Sequence, residues 1–319
     1  MIPPAYAPAF LDRAGWGGAA ILPLAGDASF RRYFRVVRDG DSAVLMDAPP
    51  EQEDSRPFIA VAEHLDAIGF RAPRILARDL AQGLILLEDF GDARMKEVIE
   101  ADPSVEHPIY ARAIDLLADL HGARAGDLPP YDMAVYQREA GLFVEWYMPA
   151  VGLAGDEPAY RAAWDEALAP IARDQSITVL RDYHAENIML LADDSLGLLD
   201  FQDALAGHAA YDLVSLLQDA RRDVPPALEA AMIARYAARR PFDDAAYALL
   251  GAQRNAKILG IFTRLWKRDG KPRYLAFQPR VWAYLERDLA HPALAPVKAW
   301  FDAHVPAAAR ATYWDGFSA

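Results

Sequence analysis

The stretch Thr178–Asp203 constrains the chain most. It reads Thr-Val-Leu-Arg-Asp-Tyr-His-Ala-Glu-Asn-Ile-Met-Leu-Leu-Ala-Asp-Asp-Ser-Leu-Gly-Leu-Leu-Asp-Phe-Gln-Asp. Short apolar runs alternate with polar stops, which predicts strand, polar loop, strand, turn, strand and a polar end. Asp182 follows the first run, Asn187 comes after four intervening residues, and Asp200 ends the run Leu196-Gly-Leu-Leu199. An acid, an amide and a second acid, each at the end of a buried strand, can converge on one divalent ion and one hydroxyl.

The residues before this stretch read as β-rich. Residues 1–19 suggest a short helix and a turn. Strands are expected over 21–24, 33–37, 43–46, 75–77 and 84–87, with 25–29 a turn of small residues and Asp39-Gly40 a hairpin signal. One main helix interrupts them. Pro57 suits its first position, Ser55 is a candidate cap, and Phe58, Val61, Ala62, Leu65 and Ile68 recur at helical spacing up to Gly69. After Gly91 the pattern is helical, over 93–101, 108–121, 135–148 and 157–173. Beyond the central stretch it resumes over 209–220, 226–238, 243–266 and 278–289. The expected class is α+β: an antiparallel β-rich N-terminal lobe with one main helix, residues 1–91, then a mostly helical C-terminal lobe, residues 92–319.

At 319 residues, 53% hydrophobic and 25% charged, the chain is long enough for two lobes and can bury a sizeable core. Without cysteine it forms no disulfide and no thiolate metal site. A basic leader is missing, as is any run of about 18 apolar residues, so no membrane span is expected and the location expected is cytoplasmic. The net charge of −13 repels nucleic acid backbones and anionic lipid, so neither is an expected partner. An anionic nucleotide would need local cations or a metal. Nothing in the sequence specifies an oligomeric state.

Asp182 alone would be an ordinary turn-capping residue. With Asn187 and Asp200 it forms a set suited to phosphoryl transfer. A carboxylate orients a hydroxyl and accepts its proton, an amide oxygen binds Mg²⁺, and a second carboxylate bridges Mg²⁺ and phosphates.

The segment Arg181-Asp-Tyr-His-Ala-Glu-Asn187 resembles the catalytic loop of the protein kinase superfamily. Asp200-Phe-Gln202 resembles its metal-binding Asp-Phe-Gly, with Gln202 in place of Gly. His184 is similar to the histidine of the aminoglycoside phosphotransferase and choline kinase branch, where Arg181 stands in place of a glycine. Tyr211-Asp-Leu-Val-Ser-Leu-Leu217 adds to the match. A finer similarity, carried by Asp27–Arg35, Met46–Asp54 and Leu199–Ala204, is to the anomeric kinases for N-acetylmuramate and N-acetylglucosamine of bacterial cell-wall recycling. The resemblance spans most of residues 20–220. It implies a bilobal protein kinase-like fold, ATP as co-substrate, Mg²⁺, and phosphorylation of the C1 hydroxyl of such an amino sugar. It makes Asp182 the catalytic residue, Asn187 and Asp200 the metal ligands, and Asp212 the brace of the loop.

The nucleotide side departs from the superfamily. The phosphate loop has only Gly26, followed by Asp27-Ala28-Ser29-Phe30, so the Ser29 hydroxyl and amides near Phe30 are the expected phosphate contacts. The third strand carries Met46 where the phosphate-pairing Lys would stand, and the first lysine of the chain is Lys96. Arg31, Arg32 and Arg35 are the nearby cations. Neighbours on a strand point to opposite faces, so at most one of Arg31 and Arg32 faces the nucleotide; solvent is the alternative for both. Glu63, on the main helix, either pairs with one of these arginines or is solvated. Leu87-Glu88-Asp-Phe90-Gly91 matches the connector whose backbone would bind adenine. His184 is a candidate substrate contact or loop-orienting hydrogen bonder, and Asp203 a candidate contact to substrate or metal. Glu145 and Trp146 suit a sugar, although aromatics at helical spacing also serve as core. Two other readings remain open: the same reaction on an aminoglycoside, choline or homoserine, and a catalytically inactive kinase-like binding module.

Overall fold

The computed structural model describes residues 1–24 and 30–310. The strands are β1 (Ala20–Pro23), β2 (Arg32–Arg38), β3 (Asp41–Asp47), β4 (Ile75–Asp79), β5 (Leu84–Glu88), β6 (Ile177–Val179), β7 (Ile188–Leu190), β8 (Leu196–Leu198) and β9 (Leu205–Gly207). The helices up to the central stretch are α1 (Ala7–Arg13), α2 (Arg56–Ala67), α3 (Met95–Ala101), α4 (Glu106–Leu120), α5 (Met133–Ala140), α6 (Met148–Ala150) and α7 (Glu157–Leu168). Beyond it come α8 (Ala210–Leu217), α9 (Pro226–Ala237), α10 (Asp244–Lys267), α11 (Gln278–Leu289) and α12 (Ala295–His304). The chain groups into two compact units: Met1–Ala101 with Glu186–Asp203, and Asp102–Ala185 with the residues from Ala204 onward.

The first unit is built on an antiparallel sheet of order β1-β2-β3-β5-β4. All five strands expected from the sequence are present, each end within two residues of its expected place. Asp39 and Gly40 both take positive φ (55° and 93°), the two-residue turn whose twist matches a hairpin. Alternation along β2 sends Phe34 and Val36 into a core with Ala43, Leu45, Leu84, Leu86 and with Phe10 and Leu11 of α1. Tyr33 and Arg35 occupy the other face, in step with Arg31. The hairpin of β7 and β8 belongs to this unit and is tied to it where the Leu198 N–H donates to the Arg71 carbonyl at 2.8 Å. The cap expected of Ser55 is not made: α2 starts at Arg56, and the Asp54 carboxylate accepts the Arg56 N–H at 3.0 Å.

The second unit is mostly helical, with the β6–β9 ladder as its short sheet. The helix expected over 135–148 is interrupted. α5 ends at Ala140, and Phe143–Tyr147 is π-helical. This wider turn lies where the Leu142 backbone presses on α10 at Gly260; a Cβ there would sit 2.4 Å from the Leu142 carbonyl. Phe143 and Tyr147 stack on each other inside the core, with Trp282 edge-on to both. Glu145 is thereby left exposed and Trp146 half-buried. Helix α12 was not anticipated, although Val297, Trp300 and Phe301 carry helical spacing and are all buried. No helix among the described residues is long and apolar enough to cross a membrane.

Candidate active site

In the second unit, Asp182 sits on the loop after β6, and the loop is held by its backbone. Fully buried Asp212, near the start of α8, accepts the Leu180 N–H at 2.7 Å and the Arg181 N–H at 2.8 Å. Burial lifts its carboxyl to about 7, against the pull of those two donors. The Ser215 hydroxyl, one turn on, donates to the Arg181 carbonyl at 3.1 Å. These bonds hold Arg181 at a φ of 70°, a left-handed conformation natural to glycine and strained for arginine. This is the position where the resemblance of the loop leads one to expect glycine. In return the Arg181 guanidinium is turned onto Glu139 of α5.

Glu139 gathers a buried ion cluster. It accepts from Arg181, from Lys257 of α10 at 3.0 Å and from the Tyr131 hydroxyl. Burial would raise its carboxyl, but Lys257 and Arg181 hold it down at about 2. Lys257 also donates to the Tyr211 hydroxyl at 3.2 Å. The cluster reaches Asp182: burial pushes that carboxyl up, yet Lys257, His184, Arg254 and Arg181 outweigh burial and keep it below the usual carboxylate range. Asp182 is therefore an anion at neutral pH. His184 is buried, which keeps its imidazole below its ordinary value, and its Nε2 lies 3.4 Å from Arg221.

In the first unit, Asn187 and Asp200 are neighbours. Asn187 Nδ2 lies 3.5 Å from Asp200 Oδ2, and the Leu199 N–H donates to the Asn187 carbonyl at 2.9 Å. Asp200 is exposed with a φ of 55°, and Gln202, at the position of the usual glycine, donates to its Oδ1 at 2.8 Å. Phe201 is buried against Phe58 of α2 with ring centroids 5.0 Å apart. One carboxylate and one amide side by side and open to solvent fit Mg²⁺, which takes few protein oxygens and leaves its other positions to water and phosphate. Asp203 is exposed as well.

The arginines separate as strand geometry requires. Arg32 crosses to its strand partner Asp47, donating from Nε at 2.8 Å on the face shared with α1. Arg31 is buried on the opposite face, where it bonds Glu53 at 2.6 Å and Tyr33. Tyr33 in turn feels the charge of Asp200. Met46, fully buried, is the cross-strand partner of Tyr33, so Arg31 lies on the face where a strand-3 lysine would stand. Glu63 meets none of these arginines; it is exposed and pairs with Arg78 at 3.2 Å. Phe30 is exposed, and Ser29 lies outside the described residues. Leu87 is buried in β5, the Glu88 carboxylate is bound by Arg71 and Arg74, and the Phe90 ring lies under Arg71.

Sequence reading missed Glu139, Lys257, Arg254 and Glu53. The first two are 118 positions apart, so no local motif joins them. A signal was present in Gln253, Arg254, Asn255 and Lys257, a polar run inside an otherwise apolar helix. Buried polar residues of that kind need partners.

The description of the phosphotransferase enzyme family matches residues 20–250. An N-acetylmuramate/N-acetylglucosamine kinase of Caulobacter vibrioides is 40% identical over 352 aligned positions, covering 95% of this chain and 96% of its own length. One of the same name from Pseudomonas aeruginosa is 40% identical, covering 86% of each. The solved structure of a choline/ethanolamine kinase family protein from Mesorhizobium loti has a TM-score of 0.64 at 16% identity, covering 92% of this chain and 97% of its own, a likeness of fold alone. With a match over most of its length and relatives this similar, the chain belongs to the phosphotransferase enzyme family.

Proposed function

We propose that this protein transfers the γ-phosphoryl group of ATP to the anomeric C1 hydroxyl of N-acetylmuramate and N-acetylglucosamine, giving the sugar 1-phosphate. The setting would be cytoplasmic recycling of peptidoglycan. The observation that carries the reading is Asp182: an anion inside a cation cluster, on a loop anchored by Asp212, five positions before Asn187. The names of the similar proteins direct it to these sugars.

In this reading Asp182 accepts a hydrogen bond from the C1 hydroxyl, orients its oxygen and takes its proton as the phosphoryl group arrives. Lys257, Arg254 and Arg181 keep Asp182 ionised before the proton moves. Asn187 and Asp200 hold Mg²⁺, whose charge offsets that of the phosphates. Arg31 stands in for the missing lysine as phosphate cation, with Glu53 rather than Glu63 as its acid. Ser29 and Phe30 belong to the phosphate loop, and the segment of Leu87, Glu88 and Phe90 serves adenine. His184, Asp203, Glu145 and Trp146 remain the sugar-side candidates. The functional boundary between nucleotide and substrate lobes falls at Gly91.

The test is Asp182→Asn, measured by ATP-coupled phosphorylation of both sugars and by calorimetric binding of Mg-ATP. Turnover is expected to fall by about a thousandfold or more, with ATP affinity nearly unchanged. Full turnover in the variant would remove Asp182 from the chemistry.

A further inference from the structure

Helix α10 passes through the second unit almost entirely buried. Between Ala246 and Arg264 only Lys257, Ile261 and Arg264 escape full burial. Spaced i, i+4 and i+7, they form one stripe, about 10 Å long at 1.5 Å per residue. The segment from α5 into the π-helical turn runs alongside in step. Glu139 meets Lys257, the Leu142 backbone meets Gly260, and the Glu145 charge acts on Arg264. One end of the stripe is thus fixed chemically, because Lys257 is the cation that acts most strongly on Asp182.

The other end is not internally satisfied. Among the described residues Arg264 enters no ion pair, and its buried Nε has no hydrogen-bond partner. Trp146, half-buried on the π-helical turn, also has a buried indole Nε1 without a partner. The other cations of this helix and its C-cap are engaged: Arg254 with Ser215 at 3.0 Å, Lys257 with Glu139, Lys267 over the Trp266 ring at 3.8 Å, and Arg268, just past the helix, with Asp269 at 2.7 Å. Arg264 feels the charges of Asp269 and Glu145 but bonds to neither, and a half-buried guanidinium without a bonded acid in a chain of net charge −13 points to an anionic ligand.

We infer that Arg264 is a specificity residue that binds the lactyl carboxylate of N-acetylmuramate, with the Trp146 ring beside the sugar. The inference rests on the proposed reaction. The two proposed sugars differ at C3, where N-acetylmuramate carries a lactyl ether ending in a carboxylate and N-acetylglucosamine a hydroxyl. With the C1 hydroxyl at Asp182, beside Lys257, we place the lactyl arm along the stripe, toward Arg264. A guanidinium fork matches a carboxylate with two parallel hydrogen bonds and offers N-acetylglucosamine nothing comparable.

The test compares Arg264→Met and Arg264→Lys with the wild type on both sugars. Arg264→Met should raise KM for N-acetylmuramate by about 10–100-fold, the worth of a charge-assisted pair, with kcat little changed. Its kinetics on N-acetylglucosamine should stay within about twofold of wild type, which also reports correct folding. Arg264→Lys should fall between, keeping the charge but losing the fork. Equal losses on both sugars, or an unchanged KM for N-acetylmuramate, overturn the inference. A wild-type protein that phosphorylates N-acetylglucosamine but not N-acetylmuramate overturns it too and leaves the proposed reaction standing. Activity on neither sugar removes both.

Discussion

Glu139→Gln tests whether the buried ion cluster holds the loop that carries Asp182. Glutamine keeps the volume and removes the charge, leaving Lys257 and Arg181 without their shared counterion. The magnitude follows from the structure in two ways. The Glu139 carboxyl drops from 4.5 to about 2 on folding, which at 1.36 kcal/mol per pKa unit is about 3 kcal/mol. Removing one member of a buried ion pair independently costs about 3–5 kcal/mol. The two agree, and since Glu139 is only 4% exposed, solvent screening takes little from either. A loss near 3 kcal/mol lowers Tm by roughly 6–12 °C for a unit of this size. The sign with pH is also fixed. A carboxyl depressed by folding stabilises fully above its unfolded value of 4.5 and less as pH falls toward 2. Urea unfolding of both proteins at pH 7 and pH 4 should therefore show a gap that narrows by about 1 kcal/mol at the lower pH. A variant within about 0.5 kcal/mol of wild type at pH 7, or a gap unchanged at pH 4, refutes the reasoning.

Arg181→Ala and Arg181→Gly lose the same ion pair with Glu139, but only alanine keeps the strain of a φ of 70°, so the glycine variant should be the more stable by about 1 kcal/mol in thermal unfolding. An alanine variant equal or superior to glycine would contradict the left-handed conformation. Arg31→Met should raise KM for ATP by about 10–100-fold. Arg32→Met should leave KM for ATP within about twofold and cost about 1–2 kcal/mol of stability, because Asp47 is buried behind it. The reverse pattern in steady-state kinetics would mean that the strand faces are assigned wrongly.

The strands of the first unit were legible because period-two alternation and the Asp39-Gly40 turn are local signals. So was the order of acid, amide and acid around Thr178–Asp203. What the sequence left open was which side of β2 each arginine takes, and that follows from one register: Arg32 opposite Asp47 and Tyr33 opposite Met46. The ion cluster was illegible for a different reason. Glu139 and Lys257 are brought together by helix packing across 118 positions, and neither lies near a recognisable motif. The interrupted helix at residues 141–147 was hidden too, since the sequence shows apolar periodicity while the backbone answers to Leu142 pressing on Gly260.

The missing strand-3 lysine then has a physical account. The resemblance leads one to expect a lysine there, paired with an acid on the main helix. Here Met46 fills the position as a fully buried apolar residue between Tyr33 and Ile85, and a lysine there would need its own buried partner. The cation moves to Arg31, at the entry of β2, and its acid is Glu53, on the loop before α2. Glu63, on α2 itself, faces Arg78 at the surface. The link from α2 to the segment of Asp200 is instead apolar, through Phe58 on Phe201. Arg31 and Glu53 thus make a pair that uses no side chain of α2, although Glu53 stands only three residues before that helix begins.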